Sequence, residues 1–139
     1  MQDFRCIVHE DRRLCHGEDK LTSAEGMSVR CVIIGNGVAA LEAAVTFRQY
    51  DREAELIVIS DESRVPFSRP ALMYVFMGQL RFKDTQLYDP KRLEQLHAEF
   101  VQDRVTGIDV AHKQLTLNSA RELQYDRLLI ATGSMPRSL

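Results

Sequence analysis

Gly35 and Gly37 lie one residue apart, and Ala40 occupies the third place of a G-x-G-x-x-G/A pattern. Of all the residues in the chain, these have the spacing that most directly implies chemistry. A glycine leaving a strand permits a tight turn, and a second one lets the backbone approach a pyrophosphate with no Cβ in the way. A small third residue lets the following helix pack closely on its strand. A helix opening at Val38 then presents free N–H groups and a partial positive charge to phosphate oxygens. The expected phosphate-binding set is therefore Gly35, Asn36, Gly37, Val38, Ala39 and Ala40. Asp61 and Glu62 follow about 20 residues later, where a carboxylate accepts hydrogen bonds from an adenosine ribose and disfavours a 2′-phosphate. A solvated turn is the plainer alternative for an Asp-Glu pair. Taken together, the two groups point to a dinucleotide with a free 2′-hydroxyl, as in FAD or NAD.

These residues need a frame. "VRCVII" reads as a fully buried strand, Val38 to about Tyr50 as a helix, and "AELIVIS" as a second strand, which makes a βαβ unit with a parallel sheet. "RVPFSRPALMYVFMGQL" predicts a short helix starting near Pro70 and stopping at Gly78. "YDPKRLEQLHAEF" predicts another, with Asp89 as N-cap and Leu93, Leu96 and Phe100 on one face. The stretch "FVQDRVTGIDVAHKQLTLNSARELQY" alternates as short antiparallel strands do. Leu128, Leu129 and Ile130 form a last parallel strand ending in Ala131, Thr132 and Gly133. Arg69 is placed to give charge-assisted hydrogen bonds to a phosphate, with a plain surface arginine as the alternative. Gly133 permits close backbone approach, and Thr132 either bonds a ligand or caps the strand end.

Composition excludes several classes. The chain has 139 residues, 45% hydrophobic, with a formal net charge of −2, which suits a single core and gives no basic footprint for nucleic acid or an anionic membrane. No apolar run is long enough to span a bilayer, and the first residues lack a secretory h-region, so a cytoplasmic location is expected. Residues 1–26 are polar and aperiodic and read as a disordered leader, with the domain running from 27 to 139. Cys6, His9, Cys15 and His16 are zinc-ligand types, but C-x2-H-x5-C-H fits no regular finger, and no metal site is expected. Three cysteines without a C-x-x-C pair point to reduced thiols, and Cys31, in a central strand, to packing.

"GNGVAALEAA", "SDESRVPFSRPALM" and "LQYDRLLIATGSMPR", in that order, resemble the FAD domain of the pyridine nucleotide-disulfide oxidoreductase superfamily. The similarity is greatest to the branch of rubredoxin and ferredoxin reductases, nitrite reductase flavoprotein subunits and apoptosis-inducing factor. It covers Val29 to Leu139. It implies an α/β, Rossmann-like FAD/NAD(P)-binding three-layer fold with a parallel sheet and a small antiparallel meander, incomplete at the C-terminus. It also implies FAD as cofactor and transfer of electrons from NAD(P)H through FAD to an acceptor, by way of regions outside this sequence. By the same resemblance the ribose-binding pair falls on Asp61 and Glu62, the FAD-contacting arginine on Arg69, the adenine contact on Val105, and the strand end beside the cofactor on Ala131, Thr132 and Gly133.

The sequence also departs from that pattern. Met73 and Tyr74 stand where the family has serine and lysine, and no C-x4-C pair is present, so neither a disulfide relay nor a redox thiol is expected. No catalytic residue is assigned, and the chain is expected not to turn over alone, whether it is part of a longer reductase or is completed by a partner chain or homo-oligomer. The alternative is a non-catalytic module holding FAD, NAD or another ADP-containing ligand.

Overall fold

The computed structural model describes residues 28–134. The leader, its Cys-His set and the last five residues lie outside the described residues. Strand β1 (Arg30–Ile34), helix α1 (Val38–Tyr50) and strand β2 (Glu55–Ser60) form the expected βαβ unit. Next come helix α2 (Leu72–Phe76), a 3-10 turn at Phe82–Thr85, helix α3 (Pro90–Glu94) and strands β3 (Ala98–Gln102), β4 (Val105–Asp109), β5 (Gln114–Leu117), β6 (Glu122–Gln124) and β7 (Arg127–Ile130). The main sheet is parallel throughout, in the order β3-β2-β1-β7, and β4-β5-β6 form a separate antiparallel meander.

The unbroken apolar run of β1 reflects burial on both faces. Cys31 and Ile33 join Leu56 and Val58 of β2 in a core against Ala40 and Ala44 of α1. Val32 faces the other way, joining Ile57 and Ile59 against Leu115, Leu117, Leu123 and Tyr125 of the meander region. The result is three layers: helix, parallel sheet, meander.

One element differs from the sequence reading. The helix after Asp89 does not continue to Phe100. Asp89 caps it through Arg92 N at 2.9 Å, but it ends at Glu94, and His97 turns the chain with a φ of 45°. Residues 98–102 then join the main sheet as β3, paired in parallel with β2. Leu96 and Phe100 still reach the same core, from a turn and a strand. Arg48, at the end of α1, holds this corner. Its guanidinium donates to the carbonyls of Leu96 at 2.6 Å, Ala54 at 2.6 Å and His97 at 2.8 Å, and to those of Asp51 and Arg52 at 3.3 Å.

Candidate dinucleotide site

The chain runs outward from β1 to β2 and β3, then returns to the other side of β1 as β7. That reversal makes the carboxyl ends of β1 and β7 a topological switch point, the place where open parallel sheets bind ligands. A cleft of about 450 Å³ opens there, within the ~300–1,000 Å³ typical of small-molecule sites. Its walls come from the residues that follow each strand.

After β1, Gly35 adopts a φ of +110° and donates its N–H to Ile59 O at 2.7 Å. A Cβ built on it would lie 2.2 Å from Ala131 O, so β7 passes directly over this residue. Gly37 is the N-cap of α1, with no side-chain capping bond and no acidic residue in the first turn. A Cβ at Gly37 would meet nothing within 4 Å. The positive end of α1 is therefore open and uncontested.

After β2 come Asp61 and Glu62. Ser60 Oγ accepts from Glu62 N at 3.3 Å, and Gln102 Nε2 donates to Glu62 O at 3.3 Å. Each carboxylate faces an arginine: Glu62 Oε2 lies 2.8 Å from Arg69 Nη2, and Asp61 Oδ2 lies 3.7 Å from Arg104 Nε. After β3, Asp103 accepts from Ser119 Oγ and the N–H of Arg104, which hold its carboxyl below the ordinary carboxylate range.

Of the thirteen residues expected from the sequence, the cleft brings together Gly35, Asn36, Gly37, Asp61, Glu62, Arg69, Val105, Ala131, Thr132 and Gly133. Val38, Ala39 and Ala40 do not line it. Val38 and Ala39 are exposed, and Ala40 is fully buried under α1, where its small side chain sets the helix-to-sheet distance. The sequence reading missed Asp103 and Arg104, which also line the cleft. The available signal was an Asp-Arg pair directly before Val105. A second cleft, of about 410 Å³, lies at the opposite end of the strands. There Arg30 pairs with Glu55 at 2.7 Å and its N–H donates to Asp126.

The profile of the family described as pyridine nucleotide-disulphide oxidoreductase matches residues 29–139. The chain belongs to the pyridine nucleotide-disulphide oxidoreductase family. It is 31% identical over 115 residues to an NADH oxidase of Methanocaldococcus jannaschii, covering 78% of this chain and 26% of that protein. It is 30% identical over 118 residues to the ferredoxin–NAD(+) reductase subunit of a benzene 1,2-dioxygenase system from Pseudomonas putida, covering 81% and 28%. Among solved structures it resembles a covalent putidaredoxin reductase–putidaredoxin complex, with a TM-score of 0.73 and 28% identity over 82% of this chain and 28% of that one. The chain spans about a quarter of the length of the curated relatives it matches.

Despite the family's name, the one cysteine among the described residues is Cys31, buried on β1 and packed toward α1. Burial pushes its thiol above the ordinary value, against the weaker opposing pull of Arg127 and Arg48. Among the described residues no three ligand-type side chains gather to hold a metal, and no helix is long and apolar enough to cross a membrane.

Proposed function

We propose that the cleft holds the ADP half of FAD and that the chain is the FAD-binding part of an NAD(P)H-dependent flavoprotein oxidoreductase. The observation that carries this reading is the convergence of the open glycine turn, the acidic pair and the Ala131–Gly133 strand end on one cleft at the switch point. The donor set fits the group. Gly37 and the α1 N-terminus receive the pyrophosphate in a space that any side chain at 37 would enter. Asp61 and Glu62 accept from the ribose hydroxyls, Val105 packs beside the adenine, and Arg69 exchanges its Glu62 contact for a phosphate oxygen. Bound FAD would supply two-electron redox chemistry between a nicotinamide donor and an acceptor. Ferredoxin-type partners are supported by the names of several relatives, one a reductase subunit paired with ferredoxin.

The test is titration of the full chain with FAD, NAD, ADP and riboflavin by calorimetry. FAD and ADP should bind and compete, whereas riboflavin, which lacks the ADP group, should not displace ADP. Binding of NAD in preference to FAD would replace this reading with that of a nicotinamide or general nucleotide module. Binding of none of them would overturn it.

A further inference from the structure

Asn36 sits between the two glycines, 6% exposed, and is the only residue of the turn with a side chain able to reach beyond it. A buried amide is costly unless bonded. Here Nδ2 donates to Ser63 O at 2.5 Å, across 27 residues of sequence. Ser63 comes directly after the acidic pair and folds on itself, its Oγ donating to Val65 O at 3.0 Å and accepting from Val65 N at 3.1 Å. The loop backbone is also tied to β2 and the end of β3, Glu62 N donating to Ser60 Oγ, Gln102 Nε2 to Glu62 O and Asp103 N to Ser60 O, while its two carboxylates face Arg69 and Arg104. The backbone bond from Gly35 N stops at Ile59, two residues before Asp61. Asn36 is thus the side chain, among the described residues, through which the glycine turn grips the acidic loop beyond the strand.

We propose that Asn36 is a positioning residue. Its amide braces the phosphate-binding turn against the Asp61–Glu62 loop and fixes the spacing between the pyrophosphate and ribose contacts of a bound ADP group. The inference rests on the ADP-binding reading above. Its physical basis is preorganisation: a ligand that touches both segments gains from their being held at one separation, and a ligand that touches one segment does not.

The test uses the full chain, with ADP and inorganic pyrophosphate as calorimetric probes. Asn36→Ala should weaken ADP about tenfold, the effect of one hydrogen bond, while pyrophosphate changes by less than about twofold. In an Asp61→Ala/Glu62→Ala background the same change should weaken ADP by no more than about twofold, because no acceptor side chain for the ribose remains to be positioned. Asn36→Ser, whose hydroxyl is too short to reach Ser63, should reproduce the loss with a cooperative melt and serves if the alanine variant does not fold. The proposal is overturned if wild type binds ADP and neither variant weakens it. It is equally overturned if ADP and pyrophosphate weaken together, if the losses add in the double background, or if both variants lose their cooperative melt. A wild-type chain that binds no ADP overturns the parent reading and this inference with it.

Discussion

Replacing each glycine of the turn by alanine separates folding from ligand recognition, because the two positions meet opposite surroundings. At Gly35 the added methyl would sit 2.2 Å from Ala131 O and 2.7 Å from Ala131 C, both backbone atoms of the strand end beside it. No side chain can swing away to relieve that overlap. The φ of +110° adds a conformational strain of about 1–3 kcal/mol for any residue with a Cβ. Relief requires β7 to separate from β1, breaking the 2.8 Å bond from Ala131 N to Ile34 O. Gly35→Ala should therefore cost about 3–5 kcal/mol, or a fall in Tm of at least about 12 °C for a domain of this size. At Gly37 the backbone is already extended, with φ −74° and ψ −176°, and the methyl meets nothing. Alanine there restricts the unfolded chain, which stabilises by about 0.4–1 kcal/mol, and is a poorer N-cap than glycine by a similar amount. The two terms nearly cancel, so Gly37→Ala should keep its stability within about 0.5 kcal/mol. Under the proposed reading its methyl nevertheless enters the space left for a pyrophosphate, and FAD affinity should drop at least about tenfold. Urea denaturation followed by circular dichroism gives the stabilities, and calorimetric titration gives the affinities. Equal destabilisation by the two substitutions, or undiminished FAD binding by Gly37→Ala, would refute this division of labour.

Three further outcomes follow from particular contacts. Arg48→Ala should destabilise the fold by about 3 kcal/mol in urea, because it strips a donor from five carbonyls, three of them within 2.8 Å. Arg48→Lys should recover less than half of that loss, since one ammonium cannot reproduce the planar fork; full recovery would show that charge alone matters. His112 Nδ1 lies 2.8 Å from Asp109 Oδ2, and this hydrogen bond and the opposite charges raise the histidine pKa and lower that of the aspartate. The pair's contribution is therefore complete between the ordinary values of 3.8 and 6.5. It is lost as pH rises through the raised His112 pKa or falls through the lowered Asp109 pKa. The Tm gap between wild type and His112→Asn should peak in that window and shrink in about 1 M salt; a gap independent of pH would refute the pairing. Cys31 should resist thiol reagents in the native chain and react only after denaturation, as read by mass spectrometry of its peptide, since burial disfavours its thiolate. Rapid native labelling would mean that β1 opens.

The parts of the fold that the sequence reading located are those where burial leaves a strong pattern. β1 and β2 are apolar at every central position because both faces are covered, and a glycine pair leaving such a strand marks a turn whose backbone must be approached closely. β3 was hidden by the opposite circumstance. It is a partly exposed edge strand with no fully buried residue, and its residues "AEFVQ" follow a capped helix start without a break in composition. Leu93, Leu96 and Phe100 fit a helical stripe because all three do reach one core, from a helix, a turn and a strand in succession. What ends the helix is the left-handed turn at His97, held by the carbonyl bond to Arg48, a contact 49 residues away that no local pattern encodes. Arg104 was overlooked for a similar reason: its relation to Asp61 exists only once β3 lies beside β2.

The same strand placement accounts for the charge layout of the cleft. Two carboxylates near a phosphate site would by themselves oppose an anionic ligand. Arg104, carried in after β3, and Arg69, carried in by the loop before α2, face Asp61 and Glu62 one for one and offset two of the three carboxylates that line the cleft, Asp103 being the third. Both pairs are largely solvated, with side-chain exposures of 61% and 40% for Arg69 and Glu62 and 72% and 54% for Arg104 and Asp61. Exposed pairs of this kind are worth at most about 1 kcal/mol, so ribose hydroxyls or phosphate oxygens can displace them at little cost. The uncapped N-terminus of α1 then stands as the electropositive end of the cleft, and the acidic pair as its acceptor-rich end. Under the proposed reading, that polarity orients an ADP group without help from the rest of the ligand: phosphates against Gly37, ribose against Asp61 and Glu62, and the remainder directed past Thr132 and Gly133.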